Sequence, residues 1–414
     1  MRYSICRILC VTLLALILPF LLPANIYGQS PTQADGNPGG AWKLSAFIDF
    51  KSSDTTATDS AERITEFVNA QKGTPIIRGQ EVLFLFQSPP NSSPQINGDF
   101  NEWAALDGPF AGSGFMSPIG NSGWFAHKIQ ALPNSRSLYK INLGNRSIPD
   151  PLNTQRVFSF GSQYSELVLE GARTSPVDPK TKQALLGRMD TLSFYSKIRD
   201  KKRKIYKYKP PASIQQDPVL PLLFILDGES WLKFTRLDLI IERMILDRRL
   251  KPFTAVFVPP IQRGLEYGGW RKFREMMYKE LIPFIDSLDQ VNRHPEDRGL
   301  LGASRGGLAA LDLLFKDRGY FTFVGAIAPA IEPLPFLQEL MKIEAPNTDI
   351  ELSIMNCQYD LQKLQKQAHQ LKDILREKAF SLEFLEFPVS HTYEGWRHYV
   401  DEVIISWNML KPKE

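Results

Sequence analysis

The chain has 414 residues and a formal net charge of +4, with 43% apolar and 23% charged residues. This composition excludes a disordered chain and a coiled coil, and the length suggests two or three domains. The near balance of 49 basic and 45 acidic residues gives no electrostatic reason to expect a nucleic-acid partner. Three cysteines, two of them within the first ten residues, exclude a disulfide scaffold and a cysteine-based zinc site.

The N-terminus has the features of a targeting segment. Two arginines precede an apolar run at 8–22, and small and polar residues follow it. This order predicts a secretory signal peptide over 1–28, cleaved near Gly28. An uncleaved anchor is less favoured, because the run is shorter than the ~20 residues of a membrane helix and contains Pro19. We therefore expect a periplasmic or secreted protein with no stable membrane insertion after cleavage.

The first part of the exported chain has an all-β pattern. Residues 29–44 are mostly small and polar and are expected to form a linker. A short amphipathic helix is predicted at 61–70. After it, short apolar runs alternate with turn clusters, which is typical of an antiparallel β-sandwich. The pattern predicts a sandwich domain over 45–160 and a second linker over 161–190.

The second part, 191–414, has a different pattern. Two strands are predicted at 192–198 and 205–208 around the basic turn 199–204, which holds five Lys and Arg residues. A solvated hairpin tip is favoured for this turn over a nucleic-acid patch. Strands and helices then alternate, which predicts an α/β fold with a mostly parallel sheet and helices on both faces.

A motif of the form G-x-S-x-G runs from Gly302 to Gly306. It lies between a predicted strand and a predicted apolar helix, which is the setting of a nucleophile elbow. Such a sharp turn pushes the serine hydroxyl out of the sheet, and the helix N-terminus favours a developing negative charge. Ser304 is therefore the candidate nucleophile. The alternative is a glycine-rich turn with an incidental serine.

A nucleophilic serine needs a base, and the base needs an orienting acid. In this arrangement they follow in the order serine, acid, histidine, each after a strand. His391 directly follows a predicted strand and precedes a helix, so it is the candidate base. Asp360 ends the preceding strand and is the candidate acid, although it could instead cap the next helix. Asp349, at the start of that strand, and Asp373, inside the helix, are the competing acids.

The site also needs two backbone N–H groups that bind a developing oxyanion. Arg305, directly after the nucleophile, is expected to supply one of them. Gly228 or Glu229, in the loop after the predicted strand ending at Leu226, is expected to supply the other. The alternative for this loop is a tight turn with no catalytic role.

Several stretches resemble the putative esterase family that contains enterochelin esterase and esterase D. They occur in family order over about 190–410, and they are LPLLFILDGESW, Arg263 with Glu266-Tyr267, KELIPFID, DRGLLGASRGGLAALDLLF and FPVSHTYEGWRHYV. The resemblance implies an α/β-hydrolase domain with a triad of serine, aspartate and histidine, supporting Ser304, Asp360 and His391. Trp231, Arg263 and Tyr267 lie in these stretches and are the candidate substrate-binding residues.

The N-terminal part resembles the immunoglobulin-like domain that precedes such esterases, which is related to early-set glycogen-binding modules. The residues that carry this likeness are 96–103, Trp124 and 149–153. Trp103 and Trp124 are candidates for stacking on a sugar, although packing in the core or between domains is favoured.

These patterns predict a serine esterase that needs neither metal nor cofactor. Two substrate classes stay open: a siderophore lactone or similar catechol ester, and a feruloyl or acetyl ester on a polysaccharide. The alternative of another class is a carbohydrate-binding or scaffold protein with a decayed hydrolase domain. The presence of Ser304, Asp360 and His391 argues against that alternative.

Overall fold

A computed structural model describes residues 57–104, 112–215, 217–268, 271–288, 293–317, 319–331, 335–343 and 350–408. They all lie in one compact unit, Ile48–Glu414. The predicted signal peptide and the linker at 29–44 lie outside the described residues. Within the described ranges, no helix combines the length and the apolar character that crossing a membrane requires.

Two small antiparallel sheets follow the first helix, Ala57–Ala70, which begins four residues before its predicted start. Their strands are β1 (Ile76–Arg78), β2 (Glu81–Gln87), β3 (Gln95–Gly98), β4 (Ser117–Pro118), β5 (Trp124–Gln130), β6 (Arg136–Leu143), β7 (Arg146–Ile148), β8 (Arg156–Ser159) and β9 (Ser162–Val168). One sheet has the order β1-β2-β5-β4, and the other has the order β3-β6-β9-β8, with β7 paired to β6. We refer to these two sheets, 76–168, as the sandwich.

The sandwich has one hydrophobic core, to which both sheets contribute. Phe84 of β2 packs edge-on against Tyr139 of β6, with ring centroids 5.0 Å apart. Trp124 is only 3% exposed, so it is buried and cannot stack on a sugar. The predicted boundary at 160 is too early, because β9 pairs with both β6 and β8 and buries Leu167 completely in this core. The range 161–190 is thus not wholly a linker.

The remaining strands form one eight-stranded sheet. They are β10 (Arg188–Ser196), β11 (Lys201–Lys209), β12 (Leu222–Leu226), β13 (Thr254–Val258), β14 (Arg298–Ala303), β15 (Phe323–Ile327), β16 (Glu351–Tyr359) and β17 (Ser381–Ser390). Their order is β10-β11-β13-β12-β14-β15-β16-β17. The first two strands pair in antiparallel fashion, and all pairings from β13 to β17 are parallel.

Helices cover both faces of this sheet, as predicted. Their bounds are Gly228–Thr235, Leu237–Leu246, Arg263–Gly268, Arg271–Met276, Ile282–Leu288, Arg305–Lys316, Pro335–Met341, Gln362–Glu377, Tyr393–Trp396 and Val400–Asn408, with a π-helical turn at Met277–Leu281 and 3-10 turns at Asp99–Ala104, Ala212–Ile214 and Pro295–Asp297. Along β12, Phe224 and Leu226 enter one hydrophobic core, while Leu223 and Ile225 enter the other. A strand buried on both faces reads as an unbroken apolar run, which is what LPLLFIL shows.

The basic segment 199–204 is not a solvated hairpin tip throughout. The turn between β10 and β11 is short, and Arg203 lies within β11 with 5% of its surface exposed. Its guanidinium donates to both carboxylate oxygens of buried Glu266, at 2.9 and 3.2 Å. The positive charge of Arg203 is thus paired inside the protein, so it is not part of a nucleic-acid surface.

The parallel strands bring the candidate residues to one edge of the sheet. Asp227 follows β12, Ser304 follows β14, Asp360 follows β16 and His391 follows β17. Because parallel strands end at the same edge, side chains placed directly after them gather there.

Candidate active site

Ser304 has the backbone conformation of a nucleophile elbow. Its φ is 55° and its ψ is −124°, and residues other than glycine rarely adopt a positive φ of this kind. The Ser304 N–H donates to the Ile327 carbonyl at 2.8 Å, and the Ala330 N–H donates to the Ser304 carbonyl at 3.1 Å. The serine therefore lies at a fixed, strained turn between β14 and the helix Arg305–Lys316.

The two glycines of the motif are required by close approach. A Cβ atom on Gly302 would lie 2.2 Å from the Gly306 carbonyl oxygen. A Cβ atom on Gly306 would lie 2.6 Å from the Asp227 carboxylate oxygen Oδ2. The elbow thus packs on itself and on the turn after β12.

His391 and Asp360 form a direct hydrogen bond. The distance between His391 Nδ1 and Asp360 Oδ2 is 2.6 Å, and the other oxygen of Asp360 accepts from the Leu361 N–H at 2.8 Å. The Asp360 side chain is 3% exposed, and that of His391 is 26% exposed. A carboxylate at Nδ1 fixes the tautomer that leaves Nε2 free for proton transfer. Of the competing acids, Asp373 is 74% exposed on a helix, and Asp349 lies outside the described residues.

Aromatic packing and a helix cap hold the loop that carries His391, which we call the histidine loop. Trp396 contacts the His391 ring edge-on, with centroids 5.1 Å apart. The Thr392 hydroxyl caps the next helix by accepting from the Gly395 N–H at 3.1 Å. Within the described residues, Ser304 and His391 share no hydrogen bond; this contact commonly tightens only with substrate bound.

Two helix N-termini meet beside Ser304. The helix Gly228–Thr235 begins after Asp227, whose φ of 58° and ψ of 32° turn the chain sharply. In the described part of the chain, the N–H groups of Gly228, Glu229 and Arg305 have no backbone acceptor. Unpaired N–H groups at helix starts are suited to binding a negatively charged oxygen.

An ion pair between buried Asp227 and partly exposed Arg263 fixes the turn after β12. Arg263 donates to both carboxylate oxygens of Asp227, at 2.7 and 2.9 Å, and to the Ala303 carbonyl at 3.2 Å. Burial raises the pKa of Asp227, and the hydrogen bonds from Arg263 oppose that rise. The pair was not predicted from the sequence, although Asp227 and Arg263 both lie in the quoted stretches.

Two of the three candidate substrate-binding residues are buried, which corrects the prediction. Trp231 has no exposed surface and packs against Tyr393 and Trp396, behind the histidine loop. Tyr267 is 2% exposed, and its hydroxyl accepts from the Asp227 N–H at 3.0 Å. Both side chains therefore pack against residues that form the site and are not exposed to a substrate. Arg263, with 39% of its side chain exposed, keeps its predicted substrate-binding role as an expectation.

A cavity of about 290 Å³ lies between the Asp360–His391 pair and the sandwich. Asp360 and His391 form part of one wall, and three aromatic side chains from the sandwich side, Trp103, Phe160 and Tyr164, form part of the other. No pattern in the sequence indicates this juxtaposition, although Trp103 belongs to the stretch 96–103 that resembles the immunoglobulin-like domain. Among the described residues, no group of three or more His, Cys, Asp and Glu side chains is arranged to hold a metal ion.

Part of the chain matches a known protein family. Residues 196–347 match the family model described as putative esterase. The match includes Ser304 and ends before Asp360 and His391.

Two relatives match part of the sequence. The uncharacterized protein YbbA of Bacillus subtilis (strain 168) is 27% identical over 142 residues, covering 30% of this chain and 56% of that protein. The iron(III) enterobactin esterase of Dickeya dadantii (strain 3937) is 30% identical over 176 residues, covering 40% of this chain and 39% of that protein. The chain thus spans about half, or less, of the length of these relatives.

Solved structures match over much more of the chain. The ferric enterobactin esterase of Salmonella typhimurium superposes with a TM-score of 0.66 at 15% identity, over 82% of this chain and 98% of that one. The enterobactin esterase of Shigella flexneri gives 0.65 at 17% identity, over 83% and 97%. Residues 188–408 alone could not supply this coverage, so the shared fold includes part of the sandwich as well as the eight-stranded sheet.

Proposed function

We propose that this protein is an exported serine esterase of the enterochelin esterase type, which hydrolyses carboxylic esters through an acyl-enzyme. The observation that carries the proposal is the 2.6 Å hydrogen bond between His391 and Asp360, at the sheet edge where Ser304 occupies a strained elbow. The putative esterase match and the similarity to the Dickeya enterobactin esterase support it. Export rests on the predicted signal peptide.

The reaction follows from the roles of three side chains. The Ser304 hydroxyl attacks the ester carbonyl and passes its proton to His391 Nε2, while Asp360 holds the imidazole in the required tautomer. The N–H of Arg305 and that of Gly228 or Glu229 bind the oxyanion of the tetrahedral intermediate. The C–O bond to the alcohol then breaks, and His391 returns the proton to the leaving alcohol. Water, activated by the same histidine, hydrolyses the acyl-enzyme and releases the acid.

The substrate class is proposed from the relatives and the cavity together. The Dickeya relative is named as an iron(III) enterobactin esterase, and the cavity beside His391 is lined by the aromatic side chains of Trp103, Phe160 and Tyr164. Aromatic walls suit a planar aromatic group, because rings pack favourably edge-on or offset. We propose a catechol ester as the substrate. A feruloyl ester on a polysaccharide has the same aromatic acyl chemistry and is the second arm of the test.

The test combines covalent labelling with a substrate panel. A fluorophosphonate probe should label the purified protein at Ser304, as located by mass spectrometry, and Ser304→Ala should remove both labelling and hydrolysis. Ser287→Ala is the control, because that hydroxyl bonds its own helix at the Phe284 carbonyl. The panel contains a catechol trilactone, methyl ferulate, acetylated xylan and short p-nitrophenyl esters. Undiminished turnover in Ser304→Ala would refute the serine mechanism, and absence of all labelling and turnover would favour a non-catalytic binding protein.

A further inference from the structure

The loop that carries Asp360 is bound to the sandwich on both sides of the aspartate. On one side, the Tyr359 hydroxyl accepts a hydrogen bond from the Leu132 N–H, at 2.8 Å, in the segment between β5 and β6. On the other side, the Gln362 N–H donates to Glu102 Oε1 at 3.0 Å. Asp360 therefore lies between two contacts that join segments more than 220 residues apart in sequence.

The loop that carries His391 is bound in the same way. The Ser390 hydroxyl, directly before the histidine, lies close enough to the Asp99 carboxyl group to lower its pKa. In the helix after the histidine, the Glu394 carboxylate accepts from the Ser159 hydroxyl of β8 at 2.9 Å, in a buried position. Asp360 thus has hydrogen bonds to the sandwich on both sides, and His391 has one such bond after it and the Asp99 carboxyl group near the residue before it.

The sandwich segment that makes the Glu102 contact is strained. Glu102, Trp103 and Ala104 have φ values of 47°, 61° and 48°, so three consecutive residues other than glycine occupy left-handed conformations. Each of these is unfavourable for a residue with a Cβ atom, and such strain persists only where surrounding contacts impose it. This conformation brings Glu102 to Gln362, and it places Trp103 in the wall of the cavity beside His391.

We propose that the sandwich holds the Asp360–His391 pair in its catalytic geometry, with Glu102 and Tyr359 as positioning residues. The sandwich is then part of the hydrolytic machinery rather than a module that binds the substrate elsewhere. Neither positioning residue transfers a proton; each acts through the backbone next to Asp360. The kinetic part of the test depends on the proposed esterase function, whereas the spectroscopic part does not.

The kinetic test uses variants of the full chain with a matched control. Glu102→Ala and Tyr359→Phe each remove one contact, and each should lower kcat on the order of 10-fold with a much smaller change in KM, because misplacing a catalytic group by a fraction of an ångström slows chemistry. Glu102→Gln keeps an acceptor oxygen and should recover most of the loss. Lys128→Ala is the control, because it breaks an exposed sandwich ion pair with Glu81 that lies outside the cavity wall.

The spectroscopic test observes the acid–base pair directly. In histidine-labelled protein, the Nδ1–H proton held by Asp360 should give a downfield proton resonance, assigned by its loss in His391→Gln. This resonance should shift or broaden in Glu102→Ala and in Tyr359→Phe, and it should stay in place in Lys128→Ala. An unchanged resonance in both positioning variants, with circular dichroism showing them folded, would overturn the proposal. If the wild-type protein hydrolyses no ester, the esterase function fails while the resonance still decides the positioning role.

Discussion

Arg263 binds both carboxylate oxygens of Asp227 and, through the same guanidinium group, the carbonyl of Ala303. One side chain therefore joins the turn after β12 to the end of β14, the two places from which the proposed oxyanion donors come. Arg263 holds the two turns in a fixed relation because its planar group makes several hydrogen bonds at once.

We expect Arg263→Lys to lower kcat substantially. Lysine keeps the charge but cannot make the two-pronged contact, so the Gly228 turn should lose its alignment with the elbow. The loss should approach the 10²–10³-fold that removing one oxyanion donor costs. Arg243→Lys, in an exposed pair with Asp247, is the control. Equal activity of the two lysine variants on one activated ester would show that the pair does not align the donors.

Asp360→Asn should remove most activity while preserving the fold. The amide keeps the shape of the side chain but stabilises the wrong imidazole tautomer, and the precedent in serine proteases is a loss of about 10⁴-fold in kcat. Asp373→Asn should have little effect, because Asp373 is largely exposed beside Lys372. A mild effect at Asp360 in a folded protein would mean that another group orients His391.

The stability of the protein should depend on the ionisation of Asp99. Burial, together with the nearby Asp360 charge, raises the pKa of Asp99 to about 7, against the opposing hydrogen bonds from the Leu138 N–H and the Trp103 indole N–H. The folded protein therefore keeps a proton that the unfolded chain releases near pH 4. The stability that this proton gives is fully present below pH ~4 and is lost as the pH rises through about 7.

Asp99→Asn removes this ionisation, which makes the dependence measurable. The difference in melting temperature, wild type minus variant, should fall between about pH 4.5 and pH 7.5 and then level off. Any part of this difference that does not vary with pH reflects the changed hydrogen bonds, so only the change with pH tests the raised pKa. A difference that stays flat, or rises with pH, would contradict the raised pKa of Asp99.

Gly306→Ala should disrupt the elbow. The added Cβ atom would lie 2.6 Å from a carboxylate oxygen of buried, paired Asp227, which cannot move without breaking its contacts with Arg263. We expect a lower melting temperature and a large loss of activity. Gly268→Ala is the matched control, because no atom of the described residues lies within 4 Å of a Cβ placed there. If both alanine variants melted and reacted alike, the close approach at Gly306 would not be limiting.

Local sequence patterns were enough to predict the eight-stranded sheet. The apolar run of β12 and the strand, turn and helix around Ser304 each reflect burial or backbone geometry within a few residues. Sequence order also selected Asp360 and His391, because the ends of neighbouring parallel strands meet at one edge. These inferences need no information from distant parts of the chain.

The contacts between distant segments could not be inferred in this way. The hydrogen bond from the Leu132 N–H to Tyr359 joins residues 227 apart and leaves no periodic pattern in the sequence. The family-like stretches made Trp231 and Tyr267 candidates for binding the substrate, yet both side chains are buried in the protein. The end of the sandwich was placed too early because β9 alternates weakly, with three consecutive buried residues.

At position 304, the left-handed backbone favours glycine, whereas the proposed reaction needs a serine. Glycine would occupy a φ of 55° without strain, whereas serine pays for the same turn with a few kcal/mol at most. If the protein were no longer selected for hydrolysis, replacing this serine with glycine would relieve the backbone strain at the elbow. Only the hydroxyl group would be lost. Serine at this position is the less relaxed choice, and its hydroxyl is the only property that glycine cannot replace.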